Sequence, residues 1–233
     1  MKQFFRSTLA AAVAVGLALP LSASALDKLT TEKEKVSYMV GLDLANGVGQ
    51  IKDEIDLNIV IDAMKTQLAG GKLLMTAEES KAVRDTFMQK LQAAQQAKTA
   101  ELAGKNKAEG DKFLAANKSK PGVKTTASGL QYSVVKEGTG KKPTAESTVK
   151  VHYTGTLLDG TKFDSSVDRG EPAQFPLNGV IAGWTEGLQL MTVGSKYKFF
   201  IPSNLAYGDR ATPGPIGPNS ALIFDVELIE IVN

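Results

Sequence analysis

VHYTGTLLDGTKFDSSVDRG, Val151 to Gly170, is the stretch on which the reading of the fold turns. With Val149 ahead of it, Val149, Val151 and Tyr153 alternate with polar residues, the period-two pattern of a half-buried strand. Asp159-Gly160 then marks a hairpin turn. Working outward, the same alternation runs through Leu130, Tyr132 and Val134, through Tyr197, Phe199 and Ile201, and through Leu222, Phe224, Val226 and Leu228. Between strands, Gly183 to Met191 places Trp184, Leu188 and Met191 on one side of a short helix. These residues predict an α+β domain, a one-faced antiparallel sheet covered by a helix.

Upstream of Pro121 the period is helical. Thr31 and Glu34 have capping-box spacing, and Val36, Met39, Val40 and Leu44 follow at helical intervals. Asp56 is placed to cap a second helix bearing Leu57, Val60, Ile61, Met64 and Leu68 on one face, ended by Gly70-Gly71. Two such short helices cannot bury both apolar faces alone, so they need the rest of the chain or a second copy. Thr76 and Glu79 repeat the capping spacing and open a segment without proline until Pro121. It has room for a helix of about 40 residues, roughly 60 Å long. Its stripe, Val83, Phe87, Leu91 and Ala94, fades into a half expected to be polar all round. Gly104 and Gly110 are weak points there, costing about 1 kcal/mol each against alanine. The alternative is two helices broken near Gly104.

Composition removes much enzymology. Cysteine is absent, which excludes disulfides, thiolate metal sites and a cysteine nucleophile, and His152 stands alone. There is no G-x-S-x-G elbow, histidine pair or P-loop. Lys2 and Arg6, an apolar run from Leu9 to Leu19 and the small residues Ala23-Ser24-Ala25 have the form of a cleavable signal peptide. Cleavage removes two positive charges from a formal net charge of +2, leaving a neutral chain with no bulk-charge case for binding nucleic acid.

The runs Val151–Gly170, Val180–Lys196, Ile201–Arg210 and Ala221–Leu228 resemble, in order and with compatible gaps, the FKBP-type peptidyl-prolyl cis/trans isomerases. The helical region joined through Gly110–Val123 resembles the macrophage infectivity potentiator (Mip)-like subgroup. The resemblance implies an FKBP-like half-wrapped antiparallel sheet around a short helix, preceded by an all-helical dimerisation module and a long connecting helix. The organisation expected is a signal peptide over residues 1–25, the module over 26–75, the connecting helix over 76–119 and the isomerase domain over 120–233. A fragment starting near Lys120 is expected to be monomeric and fully active, matching the whole protein on short peptides and falling behind it on large unfolded clients.

Carried onto this sequence, the resemblance makes Trp184 the floor of an apolar pocket, with Tyr153, Phe163, Val180, Ile181 and Phe224 as walls. Tyr207 donates its hydroxyl, and Ile181 its backbone N–H, to substrate carbonyls. Asp164 sits at the edge, bonded to Tyr153 or Arg169. Ala173, Thr212 and Pro215 depart from the best-known small members, where an aromatic, a histidine and an aliphatic residue are usual, and the change at Ala173 is expected to open one wall of the pocket. No cofactor or metal is implied. The partners implied are proline-containing unfolded or exported polypeptides, a second copy of the chain, and macrolide inhibitors such as tacrolimus and rapamycin. The signal peptide points to the periplasm, with peripheral attachment to the outer membrane or cell surface left open. The competing function is a dimeric chaperone or surface adhesin that holds proline segments, with incidental turnover.

Overall fold

The computed structural model describes residues 28–210 and 212–232. The signal-peptide reading falls on residues outside these. The chain divides into two units at Thr76/Ala77.

In the first unit, helix α1 spans Glu32–Val48 and opens with the full capping box. Thr31 Oγ1 accepts from the Glu34 N–H at 3.2 Å, and the Glu34 carboxylate accepts the N–H groups of Thr31 and Thr30 at 2.9 and 2.7 Å. Accepting the Thr31 N–H, then that of Thr30, stabilises the ionised form and lowers the Glu34 pKa to about 2. A 3-10 turn, Gly49–Glu54, leads to α2, Leu57–Leu68, where Asp56 Oδ1 accepts from the Asn58 N–H at 2.8 Å. No described residue of this unit is buried in the single chain. Met39, Leu57 and Ile59 are 51%, 58% and 69% exposed, so both helices carry apolar faces without cover from their own unit.

The second unit begins with α3, Ala77–Asn117, an unbroken helix of 41 residues that passes straight through Gly104. The alternative of two helices therefore falls. The expected polar second half does not hold either. Its contacts use small and amide side chains, which a search for apolar stripes passes over. Gly110 is buried where an added Cβ would meet the Ala221 Cβ at 3.2 Å. Phe113 packs on Phe200, ring centroids 5.9 Å apart. Asn117, 1% exposed, donates to Gln131 Oε1 at 2.9 Å, and Gln131 returns a bond from Nε2 to the Leu114 carbonyl at 2.8 Å. That carbonyl also accepts the Lys118 N–H at 3.1 Å, so Gln131 adds a second donor at the helix end.

Seven strands follow: β1 Val123–Thr125, β2 Gln131–Lys136, β3 Thr148–Thr156, β4 Lys162–Ser165, β5 Ala173–Pro176, β6 Lys196–Ile201 and β7 Leu222–Ile231. They form one antiparallel sheet in the order β1-β2-β6-β7-β3-β4, with β5 paired to β3. Burial alternates strictly along β3, and Phe224, Val226 and Leu228 of β7 point to the same core. The hairpin joining β3 to β4 closes with the Leu157 N–H on the Thr161 carbonyl, 2.9 Å, and Gly160 at φ 88°. The period-two pattern foresaw β2, β3, β6 and β7. The short strands β1, β4 and β5 have too few residues to show a period and exist because longer neighbours pair with them.

Helix α4, Ala182–Leu190, covers the concave face. It lies close because Gly183 and Gly187, one turn apart, face the sheet. An added Cβ would stand 2.5 Å from Ile201 Cγ2 at the first and 2.7 Å from Phe199 Cε1 at the second. Trp184 and Leu188, the next residues along, then reach the core at 4% and 0% exposure. Gly187→Ala is expected to destabilise the protein, because overpacking costs about 1–3 kcal/mol and exceeds the ~1 kcal/mol gained in helix propensity. Denaturant unfolding of the folded variant measures it, and an unchanged or raised midpoint would refute the close approach.

Candidate functional site

The open end of the core, between α4, β3, β4 and the loops around β6, holds a cavity of about 850 Å³. Its floor is aromatic. The Trp184 ring meets Tyr153 at 5.1 Å and 87°, Phe175 at 5.6 Å and 88°, and Phe224 at 5.2 Å and 77°. These are edge-to-face contacts, which hold rings more firmly than area burial alone. Phe163 stands against Phe224 at 5.5 Å and 83°. That pair requires Gly155 between its strands, since a Cβ there would lie 2.5 Å from Phe163 and 2.8 Å from Phe224.

The remaining wall comes from chain segments that precede or follow regular elements. Val180 and Ile181 lead into α4, with Ile181 extended at its N-cap (φ −60°, ψ 146°). The Ile181 carbonyl accepts from Trp184 and Thr185 at 2.9 and 3.1 Å. No side chain caps the helix, so the Ile181 N–H belongs to the set of donors a helix start leaves open. Tyr207 follows the 3-10 turn Ser203–Leu205. The chain bends there through Gly208 at φ 62°, whose N–H binds the Ser203 carbonyl at 2.8 Å.

At the rim the polar groups are already paired to one another. Tyr153 donates its hydroxyl to Asp164 Oδ2, and Arg169 Nη1 donates to Asp164 Oδ1. Arg169 Nη2 reaches the Tyr153 hydroxyl at 3.0 Å, while its guanidinium lies 5.6 Å from the Tyr153 ring centroid. Burial pushes Asp164 upward, but the bonds from Tyr153 and Arg169 and the arginine's charge outweigh it and hold the carboxyl below its usual range. Burial first, then the bond to Asp164, raises the Tyr153 phenol. The Arg169–Asp164 side chains are 46% and 41% exposed, so their pairing adds little stability and serves chiefly to fix orientation. Behind them, fully buried Ser166 accepts the Tyr153 N–H at 2.8 Å and meets His152 Nδ1 at 3.1 Å.

Tyr153, Phe163, Asp164, Val180, Ile181 and Trp184 all line this cavity, as do Tyr207 and Phe224. Arg169 is outside the lining and acts on it through Asp164 and Tyr153. Among the three departures, Thr212 and Pro215 line the cavity, and Ala173 pairs with Val151 behind it. The wall that Ala173 was expected to open is occupied by Phe175, two residues along the same strand. Phe175 was missed, because a four-residue strand held by its pairing with β3 is too short to show a period. Ile216 also lines the cavity without a sequence pattern to mark it, and so does Arg210, which closes the run Ile201–Arg210 but was given no role.

Among the described residues, the recess has an aromatic floor and a rim of paired polar groups. Residues 139–229 match the family described as FKBP-type peptidyl-prolyl cis-trans isomerase, and residues 33–134 match the domain amino-terminal to it. The chain is 45% identical to the outer membrane protein MIP of Legionella longbeachae over 225 residues, 96% of this chain and 97% of that one. It is 49% identical over 206 residues to FkpA, an FKBP-type peptidyl-prolyl cis-trans isomerase of Aeromonas hydrophila, covering 85% of this chain and 76% of that one. The crystal structure of FkpA from Escherichia coli superposes with a TM-score of 0.71 at 36% identity, over 88% of this chain and 98% of that chain. Fold, cavity and sequence agree: the chain belongs to the FKBP-type peptidyl-prolyl cis-trans isomerases.

Proposed function

We propose that this isomerase seats the substrate proline ring on Trp184, between Tyr153, Phe163, Val180, Ile181 and Phe224, and twists the preceding amide without a covalent step. The observation that carries the reading is the edge-to-face packing of three rings around Trp184 at the base of the cavity. Amide resonance sets a rotation barrier of about 18–20 kcal/mol. Twisting the C–N bond removes resonance and charge separation, so the transition state is less polar than the planar amide. An apolar recess therefore favours it, which is differential binding of the transition state. In this reading the Tyr207 hydroxyl and the Ile181 N–H donate to the flanking carbonyls, and Asp164, held by Tyr153 and Arg169, borders the rotating bond. Tacrolimus and rapamycin compete for the same recess.

Two variants test the roles. Asp164→Ala and Tyr207→Ala are each expected to lower kcat/KM on proline tetrapeptides at least about tenfold, equivalent to 1.4 kcal/mol. Normal turnover in both folded variants rules the assignment out. The wild-type profile is expected to be flat between about pH 5 and 9. The depressed Asp164 keeps its contribution above its ordinary value of 3.8 and loses it as pH falls through the lower folded value. The raised Tyr153 keeps its proton at and above 10.0, its ordinary value, and the stability tied to that proton falls only as pH climbs past there.

The clients we propose are exported polypeptides, and the working form is a homodimer built through residues 26–75. Support comes from the leader-like residues up to Ala25 and from the apolar faces of α1 and α2, left uncovered by their own unit. A second copy buries such faces in an isologous two-fold interface. No helix among the described residues is long and apolar enough to cross a membrane. Protein recovered from the host is expected to begin at Leu26 and to sediment as a dimer at micromolar concentration. An intact Met1 contradicts export, and a monomer contradicts the pairing.

A further inference from the structure

The wall opposite β4 is a long irregular segment, from Tyr207 to Ala221, with no helix or strand among its described residues to hold it. Its first part faces the cavity through Tyr207, Thr212, Pro215 and Ile216. Its last part, Gly217 to Ala221, lies on α3. A segment of this length is ordered only by what it leans on, and here the support is specific. Asn106 Nδ2 donates to the Pro218 carbonyl at 2.8 Å and approaches Ser220 Oγ at 3.3 Å. Asn219 Nδ2 reaches back to the Ala103 carbonyl at 3.5 Å. Gly217 comes so close that an added Cβ would stand 2.9 Å from Asn106 Nδ2 and 3.3 Å from Leu102 Cδ2. Gly110 meets Ala221 one turn further along.

The support continues to the site. The Asn219 N–H donates to the Gly208 carbonyl at 2.7 Å, and Gly208 directly follows Tyr207. Asn219 holds φ 56° to make that bond, a left-handed conformation that asparagine tolerates better than most residues. Between α3 and the Tyr207 bend lies a groove of about 360 Å³, lined by Lys107, Asp111, Ser203 and Asn204 among others. The hydrogen bonds described here therefore cross from helix to bend by way of Pro218–Ser220, around the groove.

We propose that Asn106 is a positioning residue for the isomerase: it fixes Pro218–Ser220 on α3, and through the Asn219–Gly208 bond it sets where Tyr207 stands over the cavity. The inference rests on the reading that Tyr207 serves the reaction. It makes the last turns of α3 part of the catalytic unit: a chain cut at residue 120 loses this brace, so, against the expectation from the sequence, it should fall short of the whole protein even on short peptides.

A double-mutant cycle in the full-length mature protein tests it. Asn106→Ala is expected to lower kcat/KM on proline tetrapeptides roughly fivefold, the worth of one lost hydrogen bond. In a Tyr207→Ala background the same change should cost less than about twofold, since residues acting through one another are not additive. Hydrogen exchange at the Asn219 amide should speed up in Asn106→Ala, while the exposed control Lys105→Ala changes neither readout. Equal losses in both backgrounds, or unchanged exchange at Asn219, overturn the proposal. Full activity in Tyr207→Ala alone would instead strike the assignment of Tyr207 to the reaction, and the exchange measurement would still decide whether Asn106 braces the loop.

Discussion

The close seating of α4 on the sheet is the contact on which the catalytic unit depends. Gly183 and Gly187 let the helix backbone approach Ile201 and Phe199. That approach puts Trp184 deep enough for three other rings to pack edge-on around it. With a Cβ at either glycine, the helix or the facing Ile201 or Phe199 side chain must shift, and the packing beneath Trp184 is disturbed. Gly155 plays the same part on β3, where its missing side chain lets Phe163 and Phe224 meet. The apolar recess is thus a product of three positions with no side chain as much as of its aromatic lining.

Polarity at the site is arranged to stay out of the recess. Tyr153, Asp164 and Arg169 satisfy one another at the rim, and Ser166 fixes Tyr153 from behind. A carboxylate held below its usual pKa and a phenol held above its own are both poor partners for proton transfer near neutral pH. The network is suited to holding shape, which is what the proposed mechanism asks of it.

Where residues face a single apolar core, the sequence was legible. The strands β2, β3, β6 and β7 announced themselves by alternation and α1 and α2 by their caps, while the aromatic set proposed for the site came through resemblance to the family. Legibility failed where contact depends on what a side chain lacks or on amides. Asn106, Gly110 and Asn117 read as polar or weak helix positions, yet they dock α3 on the outer side of the sheet and the adjoining loop. Phe175 escaped because its strand is four residues long and is held by pairing with β3. Arg210 and Ile216 sit in a segment without any period, and only the fold around it brings them to the cavity.

In the mechanism proposed above, the recess lowers the barrier by apolar, differential binding, with no proton moved in the transition state. The solvent deuterium isotope effect on kcat/KM for a proline tetrapeptide tests this most directly. A ratio close to unity is expected, unchanged across the flat part of the pH profile. A large normal effect would mean that a proton is in flight as the amide twists, and would contradict it.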